Sequence, residues 1–348
     1  MKTEDSNRES KLKSEFSSTS SEKKTNWIRF VKWLVYVLVI GSIAFTIWRG
    51  ITEIRNSSIS VQDFNWNWLP AVSLFYFCSI SISWFYWHCV LIGLGQRPKL
   101  SHSFPAFIVG QLGKYFPGKA LVVIIRTGII AGPNVQPAVA ATSVFIETLT
   151  YMAVGAGVAC VLMIFFVDVG PWLILLGCGG ILAAGLPIFP PVFRRIVRLS
   201  RLDKLSPKIG VAVANLKTRT AVLGWCLLPF SWLLVGLSLW SIIQLTGVGS
   251  VSLNELPRIT ACAALAIVVG FLSMMPGGLG VREVVLVALL GPLDPEVFTT
   301  ATTLIVAVTL RLCWLSTELL MTLILKGFGC VPNARSKSIN AGNEKQIQ

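Results

Sequence analysis

Read from the amino terminus, the chain opens with 26 residues of mostly Ser, Glu, Lys and Asn and then alternates long apolar runs with short charged ones. The opening stretch has too little apolar surface to offset the entropy of ordering, so residues 1–26 are expected to form a disordered tail. Charge-poor runs follow at 33–48, 69–94, 135–167, 171–193, 221–246 and 297–325. Crossing the hydrocarbon core of a bilayer takes about 20 apolar residues of helix, which makes these six runs candidate full spans and the longest of them candidates for tilt. Trp66, Trp68, Trp84 and Trp87 lie near the ends of the second run, where interfacial aromatic belts occur.

Two further apolar segments are interrupted. Residues 104–116 and 120–131 flank Phe116-Pro117-Gly118-Lys119, and residues 259–275 and 281–290 flank Met275-Pro276-Gly277-Gly278. Proline removes a backbone donor and disfavours helix in the residue before it, while the adjacent glycines permit a reversal; each site should break a helix inside the membrane. The downstream pieces, about a dozen residues each, are too short to cross. The expected fold is therefore an all-α polytopic membrane protein with about six full spans and two Pro-Gly re-entrant helical hairpins. Each hairpin carries a basic residue in its second limb, Arg126 and Arg282, and loop charges send the first in from the cytoplasm and the second from outside. That pattern predicts an inverted repeat, whose interrupted segments mark a transporter's substrate site. Chance similarity of two Pro-Gly kinks is the alternative.

Composition supports a membrane protein. Hydrophobic residues make up 54% and charged residues 13%, against about 25% charged in soluble chains. The net charge of +14 falls in blocks: eight Lys or Arg before the first run, eight within 194–219 and four from Lys326 to Lys345. These short flanks read as the cytoplasmic bias of a multi-pass protein, giving a transmembrane region over 27–326, a basic cytoplasmic loop at 194–219 and cytoplasmic tails at 1–26 and 327–348. No nucleic-acid partner is expected from charge so arranged. Cys78, Cys89, Cys160, Cys178, Cys226, Cys262 and Cys313 sit singly in apolar runs and read as small buried hydrophobes. With only His88 and His102, no metal site, cofactor site or catalytic triad can be assembled.

The chemistry lies in charges that stay within apolar runs. Each costs on the order of 3 kcal/mol by insertion scales and is a functional candidate for that reason. They are Lys114, Lys119, Arg126, Glu147, Arg282, Glu283, Arg311 and Glu318. Lys119 and Arg126 are two helical turns apart and share a face, as do Arg311 and Glu318. Near the breaks cations outnumber carboxylates, and helix N-termini after Pro117-Gly118 and Pro276-Gly277 add backbone donors, so a cavity there should hold an anion such as phosphate. The bland alternative is a network of charges that only orders the bundle. Lys114, near a membrane face, could simply snorkel.

Gly110-Gln111-Leu112-Gly113-Lys114-Tyr115-Phe116-Pro117-Gly118-Lys119 with Arg126, and Met275-Pro276-Gly277-Gly278-Leu279-Gly280-Val281-Arg282-Glu283, resemble the two signature stretches of the lysylphosphatidylglycerol synthase transmembrane-region family, also called flippase-like domain proteins. The resemblance spans about Lys32 to Lys326. It implies a polytopic inner-membrane domain of the kind that moves aminoacylated lipid between leaflets in the full synthases. Two departures matter. Leu121-Val122-Val123 stand where many relatives carry Gly-Glu and an earlier Arg, and no soluble aminoacyl-transferase domain is expected after Lys326, so lipid lysylation is not expected of this chain.

The expected function is translocation of a polar or phosphate-bearing lipid. Its headgroup would sit against Lys119, Arg126 and Arg282, with Glu283, Glu147, Arg311 and Glu318 completing the charged site. The alternative is a membrane-embedded transferase, or an accessory subunit of one, acting on lipid-linked sugars with Glu147 or Glu283 as general base. Membrane lipids are the expected partners, with a lipid-modifying or glycosyl transferase as a further one. No nucleotide-binding motif is present.

Overall fold

The computed structural model describes residues 64–115, 120–166, 190–199, 207–249, 251–273 and 280–330, together with a few isolated positions. Ten α-helices lie among the described residues. They are α1 (Leu69–Gly93), α2 (Leu100–Gln111), α3 (Ala120–Ile130), α4 (Pro137–Phe166), α5 (Pro190–Leu199), α6 (Pro207–Asn215), α7 (Thr218–Thr246), α8 (Leu256–Leu272), α9 (Val281–Leu290) and α10 (Thr300–Gly327). Short 3-10 turns lead into α1 (Trp66–Trp68) and α8 (Leu253–Glu255), and another follows α2 (Leu112–Tyr115).

Five stretches are long and apolar enough to cross a membrane: Trp66–Gly93, Pro137–Phe166, Thr218–Thr246, Leu253–Leu272 and Thr300–Gly327. Four of these coincide with expected spans. The expected spans at 33–48 and 171–193 lie almost wholly outside the described residues, as do the tail at 1–26, most of the tail at 327–348 and the breaks at Pro117, Gly118, Pro276 and Gly277. The fifth stretch is longer than the sequence suggested. The apolar run starts at Ile259 because Pro257 and Arg258 precede it, yet Pro257 occupies the first turn of α8, where its missing N–H and fixed φ are compatible with helix. Arg258 is held there by Glu255 at 3.0 Å. By contrast α2, α3 and α9, with 12, 11 and 10 residues, rise about 15–18 Å.

Helix α7 is the hub, packing on α1, α4, α8 and α10. Small residues let these backbones approach, as in other membrane bundles. Across the α7–α8 contact, a Cβ built on Gly236 would lie 2.7 Å from Thr260 Cβ and 2.9 Å from Thr260 Cα. Hydroxyls tie α7 to its other neighbours α1 and α10: Ser79 and Ser231 lie 2.8 Å apart, Ser238 donates to the Val72 carbonyl at 3.1 Å, and Trp314 Nε1 donates to Ser238 Oγ at 2.9 Å. Gly236→Ala must push α7 from α8, because part of the obstruction is backbone. Overpacking of this kind costs about 1–3 kcal/mol. We expect a lower thermal unfolding midpoint for the purified variant in detergent; an unchanged midpoint would mean the two helices do not pack this closely.

Candidate functional site

A cavity of about 410 Å³ opens between α1, α3, α4, α8 and α9, within the usual size range of ligand pockets. Among the described residues, Lys114, Arg126, Glu147 and Arg282 are the formally charged side chains on its wall, and Tyr76, Tyr151, Phe145, Phe271 and Trp314 supply much of the remainder.

Two helix pairs place the arginines. In the first pair, α2 packs on α3, and Gly110 of α2 gives room for the stem of Arg126, whose Nε would be 3.0 Å from a Cβ at that glycine. Gly113 faces the backbone of α3 itself, since a Cβ there would meet Val122 N at 2.6 Å. In the second pair, α8 packs on α9, and a Cβ on Gly270 would meet Arg282 Cγ at 2.5 Å and Nε at 2.9 Å. Gly278, with φ +69°, and Gly280, with φ +80°, adopt left-handed backbone at the entrance to α9, a conformation other residues rarely take. One arrangement therefore occurs twice: an arginine on a short helix, its stem laid against a glycine of the preceding helix.

The partners differ. Arg126 Nη1 is 2.7 Å from Glu147 Oε2 on α4, and the two side chains are 3% and 6% exposed. Its guanidinium lies over Phe107, 3.9 Å from the ring centre, and near Trp87 at 5.4 Å, as cations pack on aromatic faces. Beside Arg282, the adjacent carboxylate is turned away: Arg311 Nε of α10 holds Glu283 Oε1 at 3.1 Å, and Arg311 Nη2 donates to the Gly278 carbonyl at 3.0 Å. Among the described residues no carboxylate lies within 4.0 Å of Arg282, and its Nε is buried with no hydrogen-bond partner.

Lys114 completes the wall. Its Nζ donates to Tyr76 Oη at 2.8 Å, and both groups donate to Glu318 Oε1. Tyr76 stacks on Trp314 with ring centres 4.7 Å apart.

Of the residues expected from sequence, Arg126, Glu147 and Arg282 share the cavity wall, while Glu283, Arg311 and Glu318 lie outside its lining. Lys119, Pro117, Gly118, Pro276 and Gly277 fall outside the described residues. Glu283 does not neutralise Arg282, because consecutive residues of a helix point in different directions. Arg311 and Glu318 likewise take separate partners. Lys114, a candidate for which snorkelling is the alternative, is ion-paired with a buried carboxylate. Tyr76, Trp87, Phe107 and Trp314 carry no signal in the sequence that separates them from core aromatics. No group of three or more His, Cys, Asp or Glu able to hold a metal occurs among the described residues.

Five span-length helices around a cavity with charged walls define a multi-pass helical membrane protein. Residues 32–317 match the model of the lysylphosphatidylglycerol synthase TM region, and the chain belongs to that family. It is thus a membrane protein linked to lipid handling. No curated protein matches the chain.

Proposed function

We propose that the protein translocates a polar or phosphate-bearing lipid between leaflets, with the headgroup in the cavity against Arg282 and the chains remaining in the bilayer. The observation that carries this reading is Arg282: a half-buried cation on a cavity wall with no carboxylate in reach among the described residues. Leaving such a charge uncompensated is costly, so the site favours an anionic occupant. In this reading α2–α3 and α8–α9 act as re-entrant hairpins of an inverted repeat within about six spans. The basic loop at 194–219 marks the cytoplasmic side of a cell membrane, with both termini on that side. Rocking of the two halves exposes the cavity to each leaflet in turn. Glu147 and Glu318 neutralise Arg126 and Lys114, and Glu283 is held by Arg311, so among the described residues the charge left for the headgroup is that of Arg282.

The test is leaflet-resolved labelling of fluorescent phospholipids in vesicles holding wild type, Arg282→Ala or no protein. Wild type should move lipid at least about tenfold faster than Arg282→Ala, the loss expected when a charged hydrogen-bonding partner is removed. Wild type indistinguishable from protein-free vesicles would sink the proposal for the lipids tried.

A further inference from the structure

We propose that the cavity selects lipids whose headgroup carries one net negative charge on a phosphodiester, and that Arg282 is the selecting residue. This rests on the translocation reading and names the substrate class for it.

The charge of the wall is the first argument. Lys114 is neutralised by Glu318 and Arg126 by Glu147, which leaves Arg282 uncompensated and the described wall with one net positive charge. In surroundings of low dielectric, net charge dominates what can be held. One anionic charge brings the site to neutrality. A zwitterionic headgroup brings its own cation, which finds no free carboxylate on the described wall. A doubly charged phosphomonoester leaves one negative charge unanswered.

The second argument is the comparison of the two helix pairs. Both lay an arginine stem on a glycine, Arg126 on Gly110 and Arg282 on Gly270. In the first pair the guanidinium is met by a carboxylate of the next spanning helix, Glu147 of α4. In the second, the next spanning helix α10 offers Arg311, which draws Glu283 away. The same cradle is thus filled by a protein carboxylate on one side and left for an outside oxyanion on the other. Arginine suits that occupant, because its planar fork can donate to two oxygens of one phosphate at once.

The experiment uses the purified full chain in vesicles of phosphatidylcholine and phosphatidylethanolamine, with tail-labelled phosphatidylglycerol, phosphatidylcholine or phosphatidic acid as tracer. It is run at about pH 8, where a phosphomonoester is doubly charged. A parallel arm follows uptake of labelled inorganic phosphate. Wild type should move phosphatidylglycerol about tenfold faster than either other lipid and take up no phosphate beyond empty vesicles. Arg282→Gln should bring phosphatidylglycerol down to the phosphatidylcholine rate, and Arg282→Lys should retain part of the preference. Equal rates for all three lipids, all above protein-free vesicles, would overturn the selection while leaving translocation standing. No lipid movement above protein-free vesicles would overturn both. Phosphate uptake without lipid movement would assign the site to the free ion and overturn the lipid class. A tenfold preference persisting in Arg282→Gln would remove Arg282 as the selector. The wild-type comparison among lipids stands whether or not the variants fold.

Discussion

Arg126→Met will destabilise the protein by about 3–5 kcal/mol, the usual consequence of leaving one member of a buried ion pair without its partner. Glu147 would then keep only Thr148 Oγ1, at 3.4 Å, among the described hydrogen bonds. Water cannot readily take the place of the guanidinium, since both side chains are almost fully enclosed and Phe107 and Trp87 cover the arginine. Glu147→Leu should cost a similar amount for the converse reason. The double variant Arg126→Met, Glu147→Leu should recover most of the loss, because a buried pair exchanged for apolar groups of similar volume is often neutral. Unfolding midpoints of the four proteins in detergent give the coupling directly. Single variants whose losses simply add in the double would show that the pair is not energetically coupled. The double variant also leaves the net charge of the cavity unchanged, so its preference among lipid headgroups should follow wild type.

That pair shows where sequence reasoning reaches and where it stops. Arg126 and Glu147 stand out in the sequence because charge in an apolar run is costly whatever the tertiary structure. Their contact depends on α3 folding back on α4, a geometry that no local period encodes. The same holds more strongly for Lys114 and Glu318, separated by 204 positions. Lys114 has the composition of a snorkelling residue until α10 is laid beside α2. The spans themselves were legible wherever an apolar run ended at a block of charge, as at Thr218 and Lys326. At α8 the apolar run is shorter than the helix because proline and arginine interrupt hydropathy, although neither interrupts a helix in its first turn. The glycines against the two arginines were visible as letters but not as seats, since a glycine reveals its purpose only when the atom opposite it is known.

Lys114→Met will cost about 3–5 kcal/mol, whereas Glu318→Gln will cost only about 1–2 kcal/mol. The asymmetry follows from exposure. The Glu318 side chain is fully buried, while that of Lys114 is 25% exposed toward the cavity. Removing the lysine strands a carboxylate whose Oε2 already lacks a hydrogen-bond partner, with Tyr76 Oη as the described donor left to Oε1. Removing the carboxylate instead leaves an ammonium that still bonds Tyr76 Oη and can be hydrated from the cavity. Unfolding midpoints of the two variants separate these cases, and equal losses would mean the two groups are alike in their access to water. The functional consequence is opposite in direction to the structural one. Glu318→Gln leaves Lys114 and Arg282 both uncompensated on one wall, raising the net charge by one. The rate for doubly charged phosphatidic acid should then rise relative to that for phosphatidylglycerol, by about the tenfold that one charged hydrogen bond supplies. An unaltered ratio would mean that Glu318 does not set the charge the headgroup meets, and that Lys114 belongs to the scaffold of the cavity rather than to its selectivity.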